Sequence, residues 1–166
     1  MKFTIFDFDD TLVKTTTKII VFGRRGTKVL SSAEFAVYKA EPDDKFDFSQ
    51  FEDLINPKAI PKYVEKLRQA VNGSGRVLIL TARANAKPVA IFLRDVGVTR
   101  GVAIVALGVP DPNRKKEYIE TLITQKGATD IEFYDDSPKN IQAVQSLTRQ
   151  HPDVRLKVIQ VPSVHQ

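Results

Sequence analysis

Three observations predict an α/β fold built on a doubly wound, mostly parallel sheet. Short apolar runs recur along the chain, helical stripes lie between most of them, and three of the runs end in reactive polar residues. Apolar runs of this kind suit strands covered on both faces, and alternation with helices winds such strands into a parallel sheet.

Phe3–Phe6 is the first such strand. Next, Lys18–Phe22 and Thr27–Leu30 flank Gly23-Arg24-Arg25-Gly26, which reads as a β-hairpin with a basic tip. A short helix from Ser31 to Lys39 is expected after it, then a polar loop. Pro61 to Val71 carries Tyr63, Val64, Leu67 and Val71 at helical spacing, and Val77–Leu80 is the second buried strand. Val89, Phe92, Leu93 and Val96 form another stripe, ended by Gly97, before the strand Val102–Val105. Asp111-Pro112 is a helix start, an N-cap followed by proline in the first turn, and Gly127 is the stop. Ile131–Tyr134 is a strand. Ser137-Pro138 repeats the helix start, with the helix expected to run to about Gln150, and Leu156–Ile159 is the last strand. One domain over residues 1–166 is expected, with a flap and small insert at about 13–59.

Composition narrows the chemistry. The 166 residues are 42% apolar and 27% charged, the balance of a soluble globular protein. The absence of cysteine excludes disulfides, thiolate nucleophiles and cysteine-ligated zinc. With only His151 and His165 present, the second next to the chain end, a nucleophile–imidazole triad is not expected. No apolar run approaches the ~20 residues a membrane helix needs, and the start meets an acid at Asp7, unlike an export signal. A cytoplasmic protein with no membrane partner is expected. The net charge of +5 is unevenly spread. Lys14 to Lys28 holds five bases and no acid, whereas Glu34 to Asp53 holds seven acids and two bases.

Asp7-Phe8-Asp9-Asp10-Thr11, Thr81-Ala82-Arg83 and Asp135-Asp136-Ser137 each follow an apolar run. In an open parallel sheet the carboxyl ends of strands share one edge, where ligands bind, so the three segments should converge. Asp7 and Asp9 stand two apart, which points both side chains to one side of an extended backbone. With Asp135 or Asp136 added, carboxylates this close call for a cation, and oxygen-only donors favour Mg²⁺. One acid could then attack phosphorus while its neighbour protonates the leaving oxygen. Thr81 also suits a helix cap, Ser137 suits one better than it suits a ligand, and Asp10 is read as a turn residue. A cation is expected to face the phosphoryl group, from Lys115 or Lys116. At about 100° per residue, the stripe of Tyr118, Ile119, Leu122 and Ile123 centres about 10° from Lys115 and about 90° from Lys116.

In order along the chain, these segments resemble the four motifs of the haloacid dehalogenase (HAD) superfamily of phosphotransferases. Asp7-Phe8-Asp9-Asp10-Thr11 is similar to its Asp-x-Asp-x-Thr motif in the form of the phosphatase branch, Thr81 to the second motif, Lys115 to the third, and Asp135-Asp136 to the fourth. The resemblance implies a HAD-like fold with a hairpin flap and no large cap. It implies Asp7 as the nucleophile forming an aspartyl-phosphate and Asp9 as general acid, then base. Thr81 and Lys115 would bind phosphoryl oxygens. Asp7, the backbone carbonyl of Asp9, Asp135 and Asp136 would form the Mg²⁺ site.

The hairpin and the segment Phe-Tyr-Asp-Asp-Ser-Pro-Lys-Asn are also similar to HAD proteins of nucleic-acid end repair, such as polynucleotide 3′-phosphatases. That likeness implies a DNA or RNA end as partner. Arg24 and Arg25 at the hairpin tip are read either as overhanging the crevice or as solvated turn residues. Arg83 is read either as a clamp for a second phosphate or as a salt-bridge partner. Nucleotides or other small phosphate esters are the alternative substrates. No paired aromatic platform for a single strand is recognised; Phe35 and Tyr38 are candidates to line the substrate side, with a core role favoured for Phe35. Asn140 is a candidate for orienting the metal-site loop. Two rival readings are a receiver-like phospho-accepting domain and a non-catalytic nucleic-acid-binding module.

Overall fold

The computed structural model describes residues 1–162, and His165 lies outside them. After β1 (Lys2–Phe6), the chain leaves the sheet through β2 (Val13–Lys14), β3 (Lys18–Gly23), β4 (Gly26–Ser31), α1 (Ser32–Val37), β5 (Lys45–Asp47) and β6 (Lys58–Ala59). It returns through α2 (Pro61–Asn72), β7 (Arg76–Thr81), α3 (Lys87–Asp95) and β8 (Val102–Ala106). The rest is α4 (Pro112–Lys126), β9 (Asp130–Asp135), α5 (Pro138–Gln145), α6 (Leu147–Gln150) and β10 (Arg155–Gln160).

The central sheet has five strands in the order β10-β9-β1-β7-β8, each pair parallel. Both of its faces are covered, which is why the inner strands β1 and β7 are mostly apolar, whereas the edge strand β10 keeps exposed Arg155, Lys157 and Gln160. Phe6, Val77 and Ile79 pack with Val64 and Leu67 of α2 and Phe92 of α3. Phe3, Ile5, Leu78 and Leu80 face the other way, onto Ile119 and Leu122 of α4 and Val144 of α5. Alternate residues of one strand thus feed two cores, and each fully buried Leu, Ile or Phe side chain contributes about 1.5–3 kcal/mol. No helix among the described residues is long and apolar enough to cross a membrane.

The helix starts follow the expected chemistry. The Asp111 side chain accepts from the Asn113 N–H, the Ser137 side chain accepts from the Asn140 N–H, and Gly127 closes α4 in the left-handed conformation at φ 69°. Two expectations are corrected. The helix beginning at Pro138 does not run unbroken to Gln150. It ends at Gln145, where the Ser146 hydroxyl donates to the Ala143 carbonyl at 2.6 Å and competes with the helical ladder. The stretch after α1 is not simply a polar loop, because β5 adds to β3 and makes a three-stranded sheet of the hairpin. The excursion is closed at its base, where Val13 pairs with Ala59 and Lys14 with Lys58.

Candidate active site

Centred in the sheet, β1 delivers its carboxylates to the carboxyl edge. The Asp7 N–H donates to the Tyr134 carbonyl at 2.8 Å, carrying the pairing with β9 one residue beyond the strand. The chain then turns sharply, with the Phe8 carbonyl accepting from the N–H groups of Thr11, Leu12 and Val13. Asp10 sits in that turn at φ 62°, a left-handed conformation that Asp tolerates better than most residues. Phe8 is fully buried, its ring edge-on to Phe92 at 5.4 Å. With Phe8 locked inward, Asp7 and Asp9 on either side of it both line a cavity of about 510 Å³. The Thr11 hydroxyl donates to Asp7 Oδ2 at 3.3 Å.

Lys115 comes from the first turn of α4 and is 3% exposed. Its Nζ lies 2.8 Å from Asp7 Oδ1 and 2.9 Å from Asp135 Oδ2. Of the two candidate lysines, Lys115 therefore reaches the carboxylates, and Lys116 is not part of the cavity lining. Asp135 is completely buried and held from three directions. Its Oδ1 accepts from the Ser137 N–H at 2.9 Å, and its Oδ2 accepts from Lys115 and from Asn140 Nδ2 at 3.0 Å. Asn140 thus orients this loop, and Ser137 serves as a cap.

Carboxylate oxygens of Asp7, Asp135 and Asp136 lie within 4.8 Å of one another. Burial, followed by the Asp135 charge, raises the Asp7 pKa to about 7, against the pull of Lys115. Burial, then the charges of Asp7 and Asp135, pushes Asp136 up to about 11. Burial works against the Lys115 ammonium, yet Asp135 and Asp7 outweigh it and hold it charged. One cation among three crowded acids leaves an excess of negative charge, so a proton is retained where no ion supplies balance.

A pH dependence follows, with a definite sign. Folded-state values above the ordinary carboxylate range mean that the folded protein binds protons the unfolded chain has released. The stability this confers is complete below that range and is lost as pH rises through 7 and on toward 11. In EDTA, Tm is expected to fall by about 5 °C or more between pH 5.5 and pH 8. Asp136→Asn should shrink that fall, measured by thermal denaturation at both pH values. An undiminished fall in the variant would exclude proton retention at Asp136 as its source.

Asp9 stands apart from this trio. Arg83 grips it with two bonds, Nε to Oδ2 at 2.9 Å and Nη2 to Oδ1 at 2.8 Å. Arg83 Nη1 donates to the carbonyls of Phe51 and Asp53 at 2.7 and 2.9 Å. Its side chain is 1% exposed. Arg83 therefore takes the salt-bridge alternative and not that of a free phosphate clamp, because four of its five donors are spent on protein acceptors. Thr81 is buried at the end of β7, lines the cavity, and accepts the Arg83 N–H on its hydroxyl at 3.1 Å.

The basic hairpin tip contributes no residue to the lining of the cavity. Arg24 and Arg25 are exposed and neither lines it, while Arg24 pairs with Asp43 at 3.0 Å. Strands of six residues at ~3.3 Å per residue carry the tip well away from the hairpin base. That base, through Ile19, does reach the cavity. Lys28 lies over the Tyr38 ring, 5.6 Å from its centroid.

Of an aromatic wall on the cavity, the sequence reading offered Phe35 and Tyr38 and missed Phe46, Phe48 and Phe51. Phe35, Tyr38, Phe46, Phe48 and Phe51 all line the cavity, so Phe35 is not confined to the core and Tyr38 does face the crevice. The signal was the alternation Lys45-Phe46-Asp47-Phe48, a strand pattern too short to stand out. His151 lies outside the cavity and bonds Glu120 at 2.8 Å. No protein-family model and no curated protein sequence matches this chain.

Proposed function

We propose that the chain is a Mg²⁺-dependent phosphomonoesterase of the HAD type, working through an aspartyl-phosphate on Asp7. The observation that supports this reading best is the meeting of Asp7, Lys115, Asp135 and Asp136 from β1, α4 and β9 at one end of the sheet. The donor set fits a hard divalent cation, being oxygen-only and short of positive charge. Asp7, Asp135 and Asp136, with the backbone carbonyl of Asp9, would hold Mg²⁺, which supplies the charge that lets a phosphate dianion approach these acids.

The Asp7 carboxylate attacks phosphorus, and the bond to the leaving oxygen breaks. That oxygen takes its proton from Asp9 and departs as an alcohol. Water then attacks phosphorus in the aspartyl-phosphate and gives a proton back to Asp9, releasing inorganic phosphate and restoring Asp7. Lys115 and the Thr81 hydroxyl hold phosphoryl oxygens through both steps. Arg83 aims Asp9 into the cavity, and it must release one of the two Asp9 oxygens whenever that oxygen carries the proton.

The exposed bases of the hairpin favour a second reading of the substrate, a 3′-phosphate at a DNA or RNA end. The test is phosphate release from a panel of esters, comparing 3′- and 5′-phosphorylated oligonucleotides, mononucleotides and a generic ester. Release is expected with Mg²⁺, to vanish with EDTA and to return on adding Mg²⁺ back. Equal rates on every ester would discard the end-repair reading. A stable phosphoprotein without turnover would favour a receiver-like domain. Salt-sensitive nucleic-acid binding without any release would favour a binding module.

A further inference from the structure

The cavity has a wall that phosphoryl transfer does not need. Phe35, Tyr38, Phe46, Phe48 and Phe51 line it, and each is partly exposed. The rings run on continuously. Phe35 meets Phe46 and Phe48 edge to face, with centroids 5.5 and 5.4 Å apart. Phe46 and Phe48 lie nearly parallel at 5.8 Å, and Phe51 follows Phe48 at 6.3 Å. A purely structural cluster would be sealed from water, whereas half-open rings along a concave wall leave apolar surface for a ligand to cover.

This wall ends at the acid. Arg83 lies over Phe51, its guanidinium carbon 4.9 Å from the ring centroid, and the same guanidinium holds Asp9. In the phosphatase reading Asp9 serves the leaving oxygen, so whatever that oxygen carries extends on Asp9's side of phosphorus, toward Phe51 and Phe48. The wall is also fixed relative to the carboxylates. The Ser32 hydroxyl donates to the Asp10 carboxylate in the turn after β1, and Lys139 Nζ donates to the Tyr38 carbonyl. Two ties from separate elements hold the excursion against the core, the rigidity that a recognition subsite requires.

We propose that this aromatic wall is a recognition subsite for a flat ring on the leaving group, which makes phosphomonoesters of nucleosides, free or at a strand end, the preferred substrates. The orientation of the leaving group rests on the phosphatase reading; the capacity to bind a ring does not. Every base presents a π-face, so such a wall selects for a base without selecting which one.

The test uses the full chain with Mg²⁺. It measures kcat/KM for a 3′-mononucleotide, a 5′-mononucleotide, a 3′-phosphorylated oligonucleotide and glycerol phosphate, which has no ring. The best ring-bearing ester is expected to exceed glycerol phosphate by about tenfold or more, the scale of one stacked base. Phe48→Leu keeps apolar bulk but removes the ring and should bring that ratio toward one. A ratio within one preparation does not depend on how much of the variant is folded. Whether the oligonucleotide outranks the mononucleotides decides between a strand end and a free nucleotide. In parallel, saturation-transfer NMR with adenosine, which has no phosphate, should show transfer to the base protons that Phe48→Leu diminishes. Phosphate release at equal efficiency with and without a ring, or a ratio unmoved in Phe48→Leu, overturns the subsite and leaves the phosphatase reading standing. Adenosine transfer without release of phosphate from any ester keeps the subsite and removes the phosphatase reading. Neither release nor transfer overturns both.

Discussion

Asp7→Asn is expected to abolish Mg²⁺-dependent phosphate release, by about 10⁴-fold or more, the scale of losing a covalent nucleophile. Stability should not follow activity down. Asparagine has nearly the same shape and can still accept from the Thr11 hydroxyl, as Asp7 Oδ2 does at 3.3 Å. Burial and the Asp135 charge already make an ionised Asp7 costly, raising its pKa to about 7. Removing that charge relieves repulsion, and Lys115 keeps its second partner in Asp135 at 2.9 Å. In EDTA at pH 8 the variant should therefore melt no lower than the parent chain. Release of inorganic phosphate and thermal denaturation, run on the same preparation, separate the two effects. Turnover that survives would remove Asp7 as nucleophile.

Lys115→Met reverses that pattern, with stability falling as well. Methionine fills much of the lysine stem's volume but takes away the one ammonium that bonds Asp7 and Asp135. Breaking a buried pair from one side typically costs about 3–5 kcal/mol, because the remaining charge has lost both water and partner. For a chain of this size that is a Tm lower by about 10 °C. Because Asp7 and Asp136 can take up protons, the loss should be larger at pH 8 than at pH 5.5. Excess Mg²⁺ should recover part of it at pH 8 by supplying positive charge. A variant as stable as the parent in EDTA at both pH values would mean that protonation alone balances the cluster. These two substitutions bracket the site: one removes negative charge and spares the fold, the other removes positive charge and does not.

Much of the scaffold was legible because its coding is local. The inner strands β1 and β7 are apolar runs because they are buried on two faces, and each major helix carries its own start or stop within three or four residues. Asp111 before Pro112 and Ser137 before Pro138 needed no knowledge of the rest of the chain. The excursion from Val13 to Ala59 was less legible. Its strands β2, β5 and β6 span two or three residues, too few for a period to show. Placement of the hairpin tip was illegible for a different reason. Nothing in Gly23-Arg24-Arg25-Gly26 says where the rest of the molecule lies, and the acidic partner, Asp43, is far along the chain.

By itself the sequence determined that Asp7, Asp9, Thr81, Asp135 and Asp136 follow strands and so gather along a common sheet edge, because parallel strands are all directed the same way. Only tertiary structure decided which side chains then touch. Arg83 is 74 residues from Asp9 and Lys115 is 108 residues from Asp7, and their contacts depend on how helices and loops seat against the sheet. The aromatic wall arose the same way, from rings of a helix, a short strand and a turn that become neighbours only when the excursion folds back over the edge. Backbone direction is set by short-range pattern; side-chain partnership across such distances is set by packing.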